Sequence, residues 1–383
     1  MKSSTRKIVE ALVFLALFGA VFGFLGSRMG TANMLNTIMK TSHDLLLNTC
    51  FYLMGITVLT GALGHLLVEF GVVNMLEKLL RPLMKPLYNL PGVAALGAVL
   101  TFLSDNPAII TLAHDKNFSR YFKKYQLISL TNFGTAFGMG LVVIAFMMGQ
   151  GFGQGAVIGL LGAVVGSIVS TRLMQFFIVK SYPQYKTEEA AEENEAEAHE
   201  EKKQENTLMR ALNAVLDGGK EGVGLGMAII PGVLVISTAV MMLTFGARGD
   251  EGAYAGVAYE GVPVLPWLAG KIDFVFKFLF GFEHPELVAF PITALGAVGA
   301  AIGLLPEFIA QGFVDNIAIA VCTAIGMCWS GYLSTHSAML DSLGYRHLVS
   351  KAIGAHTIGG LCAGIAAHLF YMLFQLFYSK SSP

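Results

Sequence analysis

The stretch that decides the fold is PGVAALGAVLTFLSDNPAIITLA at 91–113, an apolar segment interrupted by the polar tetrapeptide SDNP at 104–107. These four residue types form turns, and a new helix commonly begins at such a sequence. Inside a membrane, irregular backbone is tolerated only where protein or a water-filled cavity covers it. The stretch is therefore either a kinked span or a re-entrant hairpin. A second broken apolar stretch, at 286–313, presents the same choice.

The rest of the chain has the composition of a membrane protein. Of its 383 residues, 54% are hydrophobic and 13% are charged, whereas soluble domains carry about 25% charged residues. Seven other stretches are long enough to cross a bilayer as helices, since a span needs about 20 apolar residues. They are 8–26, 45–68, 126–149, 156–179, 224–246, 317–339 and 353–377. The net charge of −1 excludes nucleic acid as a partner.

The distribution of positive charge distinguishes spans from hairpins, because Lys and Arg accumulate on cytoplasmic segments. With the N-terminus inside and both broken stretches folded as hairpins, 19 of the 25 basic residues lie inside. If both stretches span the membrane, only 11 of the 25 lie inside. The count predicts two hairpins in a multi-pass protein of a bacterial-type cytoplasmic (inner) membrane, with its N-terminus in the cytoplasm.

A short internal repeat relates the two broken stretches. The string ALGAV occurs at 95–99 and again at 294–298, an offset of 199, and a proline follows each copy, at Pro107 and Pro306. The shared spacing predicts that each hairpin turns beside its proline. The second turn would then lie just before Glu307, which would either cap the following half-helix or receive a proton.

Each half has the same predicted order of elements: a span, an amphipathic interfacial helix (72–88 or 267–280), a hairpin and two more spans. Three crossings per half is an odd number, so the second half begins from the opposite side of the membrane. The prediction is an all-α polytopic fold of two inverted repeats plus one extra N-terminal span, an architecture common among secondary transporters. The predicted domains are the N-terminal span and loop (1–44), the first repeat (45–180), an acidic linker (181–207) and the inverted second repeat (208–383).

The linker sequence TEEAAEENEAEAHEEKKQEN at 187–206 contains nine glutamates. Such a composition is typical of a solvated segment, and a partner-binding tail is the alternative.

The candidate binding residues lie at the first turn and in the span after it. Asp105 is costly within hydrocarbon and indicates a functional role, although Asp and Asn also cap helices. In LISLTNFGTAFGMG at 127–140, polar side chains alternate with glycines, which favours local unwinding around a bound cation or solute; close helix packing is the alternative. The candidates in this region are Ser104, Asp105, Asn106, Thr131, Asn132 and Thr135.

The second half contributes the segment MCWSGYLSTHSAM at 327–339. The offset of 199 aligns Thr131 with Ser330, and we expect Ser330, Ser334, Thr335 and His336 to complete the polar shell. A serine close to a histidine also suggests a hydrolase, but GxSxG, HExxH and an evident third catalytic member are absent from the sequence. The protein is therefore not expected to be an enzyme, and no metal site is predicted.

The segments ALGAVLTFLSDNPAI (95–109), TNFGTAFGMG (131–140) and the second ALGAV region resemble the nucleoside-recognition (Gate) domain membrane proteins. That family includes spore-maturation membrane proteins, the gate halves of ferrous-iron transporters and hairpin elements of concentrative nucleoside transporters. The resemblance implies inverted repeats with paired re-entrant hairpins whose polar residues bind nucleoside and sodium. By position these would be Ser104, Asp105, Asn106, Asn132 and Ser330. The Gln-Thr-Glu type of hairpin tip found in the nucleoside carriers is absent.

The leading hypothesis is a secondary-active transporter of a small polar or planar solute, with a nucleoside-like solute as one option. Na+ or H+ would be the coupling ion, and no other cofactor is expected. The partners would be the lipid bilayer, the solute and further copies of the chain in a homo-oligomer (dimer or trimer). Two alternatives stay open: a non-transporting assembly component of the spore-maturation type, and a metal-ion channel lined by Cys322 and Cys328.

Overall fold

The computed structural model describes residues 2–190 and 206–381, and within them the side chains of 6–190, 206–333 and 335–377. The described residues are almost entirely helical, with one isolated β-bridge between Lys123 and Glu189. The predicted all-α fold is therefore confirmed. Most of the acidic linker, 187–206, lies outside the described residues.

The first half of the chain contains nine of the described helices. They are α1 (Lys2–Met29), α2 (Thr31–Glu69), α3 (Val72–Leu83), α4 (Ala94–Leu103), α5 (Pro107–His114), α6 (Lys116–Ser119), α7 (Lys124–Thr135), α8 (Gly140–Gly149) and α9 (Gly153–Ser181). A π-helical segment, Leu45–Cys50, lies within α2, and another, Met84–Tyr88, extends α3.

The second half repeats this order of elements. Its helices are α10 (Thr207–Thr244), α11 (Val264–Gly270), α12 (Asp273–Phe280), α13 (Ala289–Ala294), α14 (Val298–Ala310), α15 (Asn316–Cys328), α16 (Tyr332–Ser342) and α17 (Val349–Ser381). A π-helical segment, Val233–Ser237, lies within α10 as its counterpart lies within α2.

Six helical segments of the described residues are long and apolar enough to cross a membrane. They are Arg6–Met29, Thr31–Glu69, Lys124–Gly149, Gly153–Ser181, Thr207–Thr244 and Arg346–Phe377. One of the seven predicted spans, 317–339, is not one continuous helix: α15 ends at Cys328 and α16 begins at Tyr332. Its counterpart in the first half is also interrupted, between α7 and α8. Each half therefore contains one discontinuous helix after its hairpin.

The first hairpin turns where the sequence predicts it, at 104–106 between α4 and α5. The second hairpin turns at a different place from the one predicted. Its turn is 295–297, between α13 and α14, and Pro306 lies inside α14. The carbonyl of Thr293 accepts the amides of both Gly296 and Ala297, which ends α13. The predicted second turn beside Pro306 is therefore wrong, and the offset between the two turns is 191 (295 − 104) rather than 199.

The two longest helices, α2 and α10, cross in antiparallel orientation. Gly61 contacts Gly218, and Thr57 contacts Gly222 further along α10, so the residue numbers run in opposite directions. The Thr57 hydroxyl also donates to the Gly222 carbonyl at 2.7 Å. Small residues allow this close approach of two backbones within lipid. The first helix of each half thus runs opposite to its counterpart.

The last helices of the two halves, α9 and α17, are antiparallel too. Gly162 packs on Ala367, Gly166 on Ala363, and Gly359 on Ser170. Two independent pairs of equivalent helices are therefore related in the manner that an inverted repeat requires.

One end of the helical bundle carries a concentration of cations. Here Arg210 pairs with Glu69 at 2.7 Å, and His114 contacts Ser342 at 3.1 Å. The connection between α5 and α7 is at this end and holds Lys116, Arg120, Lys123 and Lys124. We call it the basic end. The opposite end is closed by the loop 245–263, which packs against α2 through the bond from Asn33 to the Tyr254 carbonyl, 2.8 Å long.

Candidate functional site

A cavity of about 510 Å³ lies between the first hairpin and the crossing of α2 with α10. Its apolar wall includes Leu100, Leu103, Val142 and Leu225. Six residues with polar side chains also line it: Thr57, Thr60, His65, Ser104, Asp105 and Glu221. Mostly apolar walls with a few convergent polar groups are typical of small-molecule sites.

The first turn places Asp105 in this cavity. α4 ends at Leu103 because Ser104 leaves the helical conformation (φ −116°, ψ −107°). The amide and the hydroxyl of Ser104 both bond to the Leu100 carbonyl, at 2.9 and 3.0 Å. Pro107 then begins α5, where its missing N–H costs nothing. Asp105 Oδ1 is buried and has no hydrogen-bond partner. A buried carboxylate oxygen without a partner is unfavourable, so it is a natural place for a bound polar group.

The next residue, Asn106, contacts a different part of the molecule. Its Nδ2 donates to Ser330 Oγ at 3.4 Å, and the Ser330 hydroxyl donates to the Thr135 carbonyl at 3.1 Å. Ser330 lies in the break between α15 and α16, and Thr135 is the last residue of α7. The hairpin tip therefore meets the interruptions of both discontinuous helices. We call the contact of Asn106, Thr135 and Ser330 the tip junction.

Glycines make room for the tip junction. A Cβ on Gly138 would overlap the Asn106 side chain and crowd the Ser330 hydroxyl. A Cβ on Gly331 would overlap Asn106 and the hydroxyl of Thr335, which is itself buried. The glycine-rich segment after α7 thus interrupts the helix, and the structure places it against the turn rather than around the cavity.

Behind the junction lies a fully buried polar group that we call the histidine cluster: Asn132, Ser170, His336 and His356. Asn132 Nδ2 donates to Ser170 Oγ at 3.0 Å and to the Ala352 carbonyl at 2.9 Å. Ser170 Oγ lies 2.7 Å from His356 Nδ1. The His336 and His356 rings are 4.6 Å apart between centroids. The cluster joins α7, α9, α16 and α17.

Several polar atoms in and around the histidine cluster have no hydrogen-bond partner. They are Thr131 Oγ1, Asn132 Oδ1 and both ring nitrogens of His336. Asn132 also cross-links three helices, α7, α9 and α17. Ser334 lies on α16, and its side chain is outside the described residues.

Glu307 is remote from these groups. It lies in the last part of α14 and not at a helix N-terminus, so the predicted capping role is wrong. Its carboxylate pairs with the Arg248 guanidinium and accepts from Gln311 Nε2 at 2.8 Å. The 199-residue offset caused the error because it placed the second turn beside Pro306. A role in proton transfer stays a prediction.

Sequence reasoning missed the part of the cavity formed by α2 and α10. Thr57, Thr60, Gly61 and Gly64 follow one another at helical spacing, a polar and small-residue face that was readable in the sequence. Glu221 was missed because the predicted span began at 224. It bonds to His65 at 2.7 Å across the mouth of the cavity.

The residues proposed to line a metal channel lie apart from the cavity. Cys322 and Cys328 belong to α15, and both are fully buried. Among the described residues, no group of three or more His, Cys, Asp or Glu side chains is arranged to hold a metal ion.

Comparison with known proteins confirms the predicted resemblance over part of the chain. Residues 50–151 match the family model described as Gate, nucleoside recognition. This segment runs from the middle of α2 to the end of α8 and includes the first hairpin. An uncharacterized protein of Alkalihalophilus pseudofirmus is 25% identical over 300 residues, which is 73% of this chain. The chain spans 58% of the length of that relative.

Among solved structures, the fold is similar to that of the concentrative nucleoside transporter CNTnw. Its inward-facing substrate-bound state aligns with 97% of this chain and 85% of its own, with a TM-score of 0.53 and 15% identity. A single-substitution variant in the intermediate 1 state aligns with 96% and 86%, with a TM-score of 0.54 and 14% identity. At such identities the likeness concerns the fold.

Proposed function

We propose that this protein is a secondary-active transporter of a small, planar, polar solute of the nucleoside type, and that the cavity beside the first hairpin is its solute site. The observation that carries the proposal is Asp105, whose buried, unpartnered carboxylate oxygen lies at the tip of a re-entrant hairpin and lines a cavity. The Gate match over residues 50–151 and the fold shared with CNTnw support it.

The hydroxyls in the cavity favour a solute rich in hydrogen-bond donors. Thr57 donates to the Gly222 carbonyl, Thr60 to the Ile56 carbonyl and Ser104 to the Leu100 carbonyl. A hydroxyl has one hydrogen, so each of these oxygens retains only acceptor capacity. Together with the Asp105 carboxylate they form an acceptor-rich edge. The hydroxyls of a ribose and the N–H groups of a base are donors that match it.

The remaining wall suits the flat faces of a base. Leu100, Leu103, Val142 and Leu225 are apolar and line the same cavity. Burial of an apolar or aromatic face against them contributes about 25 cal/mol per Å² of area removed from water. The cavity therefore combines an apolar surface with a polar edge, as an amphipathic planar solute requires.

Alternating access would come from movement of the first hairpin against the α2–α10 crossing. The tip junction consists of bonds of 3.1 to 3.4 Å, which are at the long end for such pairs. The His65–Glu221 pair at the mouth is partly exposed, with 38% and 56% of the two side chains accessible. Contacts of this kind exchange readily with water. We propose Na+ or H+ as the coupling ion.

The proposal is tested with purified protein in proteoliposomes by counterflow of radiolabelled uridine and adenosine. We expect saturable exchange by the wild type and its loss in Asp105→Asn, which removes the charge and keeps the shape. Asp217→Asn is the matched control, because Asp217 is an exposed carboxylate on α10 paired with Lys220. Full exchange by Asp105→Asn would show that the site is wrongly assigned. Absence of exchange and of ligand-induced thermal stabilisation in the wild type would contradict nucleoside transport.

A homo-oligomer of two or three copies stays a prediction. A non-transporting assembly role would depend on the acidic linker at 187–206, most of which lies outside the described residues. Deletion of the linker distinguishes the transport hypothesis from the assembly hypothesis, because a transporter retains uridine exchange without the linker.

A further inference from the structure

His336 is the buried group that the proposed solute site does not use. It lies in the second turn of α16, has no exposed surface, and neither ring nitrogen has a hydrogen-bond partner. The backbone of Tyr332 and of Gly331, the residue just before α16, lies close to the ring, but neither ring nitrogen meets the geometry of a hydrogen bond. A neutral imidazole always carries one N–H, and burying it unpaired is unfavourable. This arrangement indicates a ring that gains a partner at another stage of a cycle.

The adjacent histidine, His356, is held in one protonation state by its partners. The Cys328 carbonyl can only accept, so His356 Nε2 carries the hydrogen. His356 Nδ1 then accepts from Ser170, whose oxygen accepts from Asn132 Nδ2. Both nitrogens are used by a neutral ring. Of the two neighbouring histidines, only His336 has free nitrogens.

The groups facing the pair carry no permanent charge. From α15 and α16 these are the Cys328 carbonyl and Tyr332, whose ring is 6.3 Å from that of His336. α7 contributes Thr135, which lies 3.4 Å from His356 Nε2, and α9 contributes Ser170. Among the described residues, no Asp, Glu, Lys or Arg side chain is bonded to either ring. Protonation of His336 would therefore introduce a positive charge into a histidine cluster that otherwise carries none.

One side-chain hydrogen bond and two short stretches of chain connect His336 to the cavity. Asp105 lines the cavity, and the next residue, Asn106, bonds to Ser330 in the tip junction. Ser330 lies two residues before the start of α16 at Tyr332, and the second turn of that helix carries His336. A displacement of the hairpin by a bound solute therefore moves the start of α16 against the histidine cluster.

We propose that His336 binds the coupling proton, so that solute transport by this protein is driven by protons rather than by sodium. This inference rests on the proposed function. One proton adds to a free ring nitrogen of His336 to form an imidazolium when the hairpin is displaced, and the same proton leaves when the hairpin returns. No bond other than N–H is made or broken.

The test uses proteoliposomes in sodium-free buffer, with uridine as the solute and a pH-sensitive dye inside. An inward gradient of one pH unit can drive about tenfold accumulation at one proton per solute. We expect the wild type to accumulate uridine while its lumen acidifies. His336→Gln and His336→Asn should lose accumulation and acidification but retain uridine counterflow. His368→Gln is the control, because His368 is a buried histidine of α17 bonded to the Leu279 carbonyl, outside the cluster.

Uridine accumulation by the wild type identifies the coupling ion even if neither His336 variant folds. Accumulation that requires sodium and ignores the pH gradient would overturn the inference while leaving nucleoside transport intact. Accumulation by a folded His336→Gln at the wild-type level would overturn the assignment to His336. Absence of counterflow in the wild type would instead contradict the proposed function.

Discussion

The two hairpin turns occupy equivalent places in the chain but differ in chemistry. The first turn, 104–106, presents a carboxylate to the cavity and an amide to the tip junction. The second turn, 295–297, consists of Leu, Gly and Ala. Its following helix is fixed to α10 by the Ser237 hydroxyl, which donates to the Ala300 carbonyl at 2.8 Å. Polar atoms of the first turn contact the cavity and the tip junction, whereas the second turn has no polar side chain and its Gly296 is exposed.

This difference shows that an inverted architecture does not require symmetric chemistry. Both halves have the same order of elements and one discontinuous helix each. Equivalent helices of the two halves pack against each other in antiparallel orientation. The polar hairpin turn occurs in one half only. Among the described residues, the hairpin-turn side chains that line the cavity come from the first half alone.

The largest difference between the two turns is expected when one methyl group is added beside each of them. Gly138→Ala places a Cβ against the Asn106 side chain and the Ser330 hydroxyl. Because the junction has to open, we expect uridine exchange to fall about 10- to 100-fold, as for a local strain of about 1–3 kcal/mol. Exchange kinetics in proteoliposomes measure this.

Gly296→Ala is the control at the second turn. There a Cβ would meet the Thr293 carbonyl oxygen at 3.4 Å and a methyl of Ile236 at 3.5 Å, which are ordinary contacts. Exchange should stay near the wild-type rate. Equal losses in both variants would contradict the proposed division between the two turns.

A smaller effect is expected from removing one hydrogen bond at each turn. Asn106→Ala deletes the bond to Ser330, and we expect about a 5- to 10-fold loss of uridine exchange because a hydrogen bond contributes about 1 kcal/mol. Thr293→Val at the second turn removes only a bond within α13 to the Ala289 carbonyl. The ratio of the uridine exchange rates of the two variants measures how much more transport depends on the first turn than on the second. A ratio near one would contradict this difference between the turns.

The smallest effect on transport is expected in the loop 245–263, which has no counterpart of similar length in the first half. Burial acts to raise the pKa of Glu260, but the amides that its carboxylate accepts outweigh burial and hold the pKa below its ordinary value of 4.5. The donors belong to Ala255, Arg248, Gly256 and Val257. The stabilisation is therefore present above that ordinary pKa and is lost as the pH falls through the lower, folded-state value.

Glu260→Gln should lower the free energy of unfolding by about 1–3 kcal/mol at neutral pH and leave uridine exchange unchanged. Thermal unfolding from pH 3 to pH 7 measures it, and the difference from the wild type should shrink toward the acid end. A constant difference across this range would show that the charge of Glu260 is not the cause.

The sequence was informative where a local signal is strong. The SDNP interruption located the first turn. The glycines after Thr135 left local unwinding and close packing as alternatives, and the structure has a break there between α7 and α8. The second turn was misplaced because ALGAV is a weak signal in a chain with 44 glycines, and because Pro306 is accommodated inside α14. The α2–α10 wall of the cavity depends on which helices cross, and a single sequence does not state that.

The antiparallel crossing of α2 and α10 also bears on how the chain is synthesised. During translation, the second half has to enter the membrane in the orientation opposite to the first. Each half has basic residues at the basic end: the cations between α5 and α7 in the first half, and Arg346 and Lys351 in the second. Such residues set the orientation of the helices that they flank. Two half-length chains with these charges would orient independently and meet through the same glycine contacts.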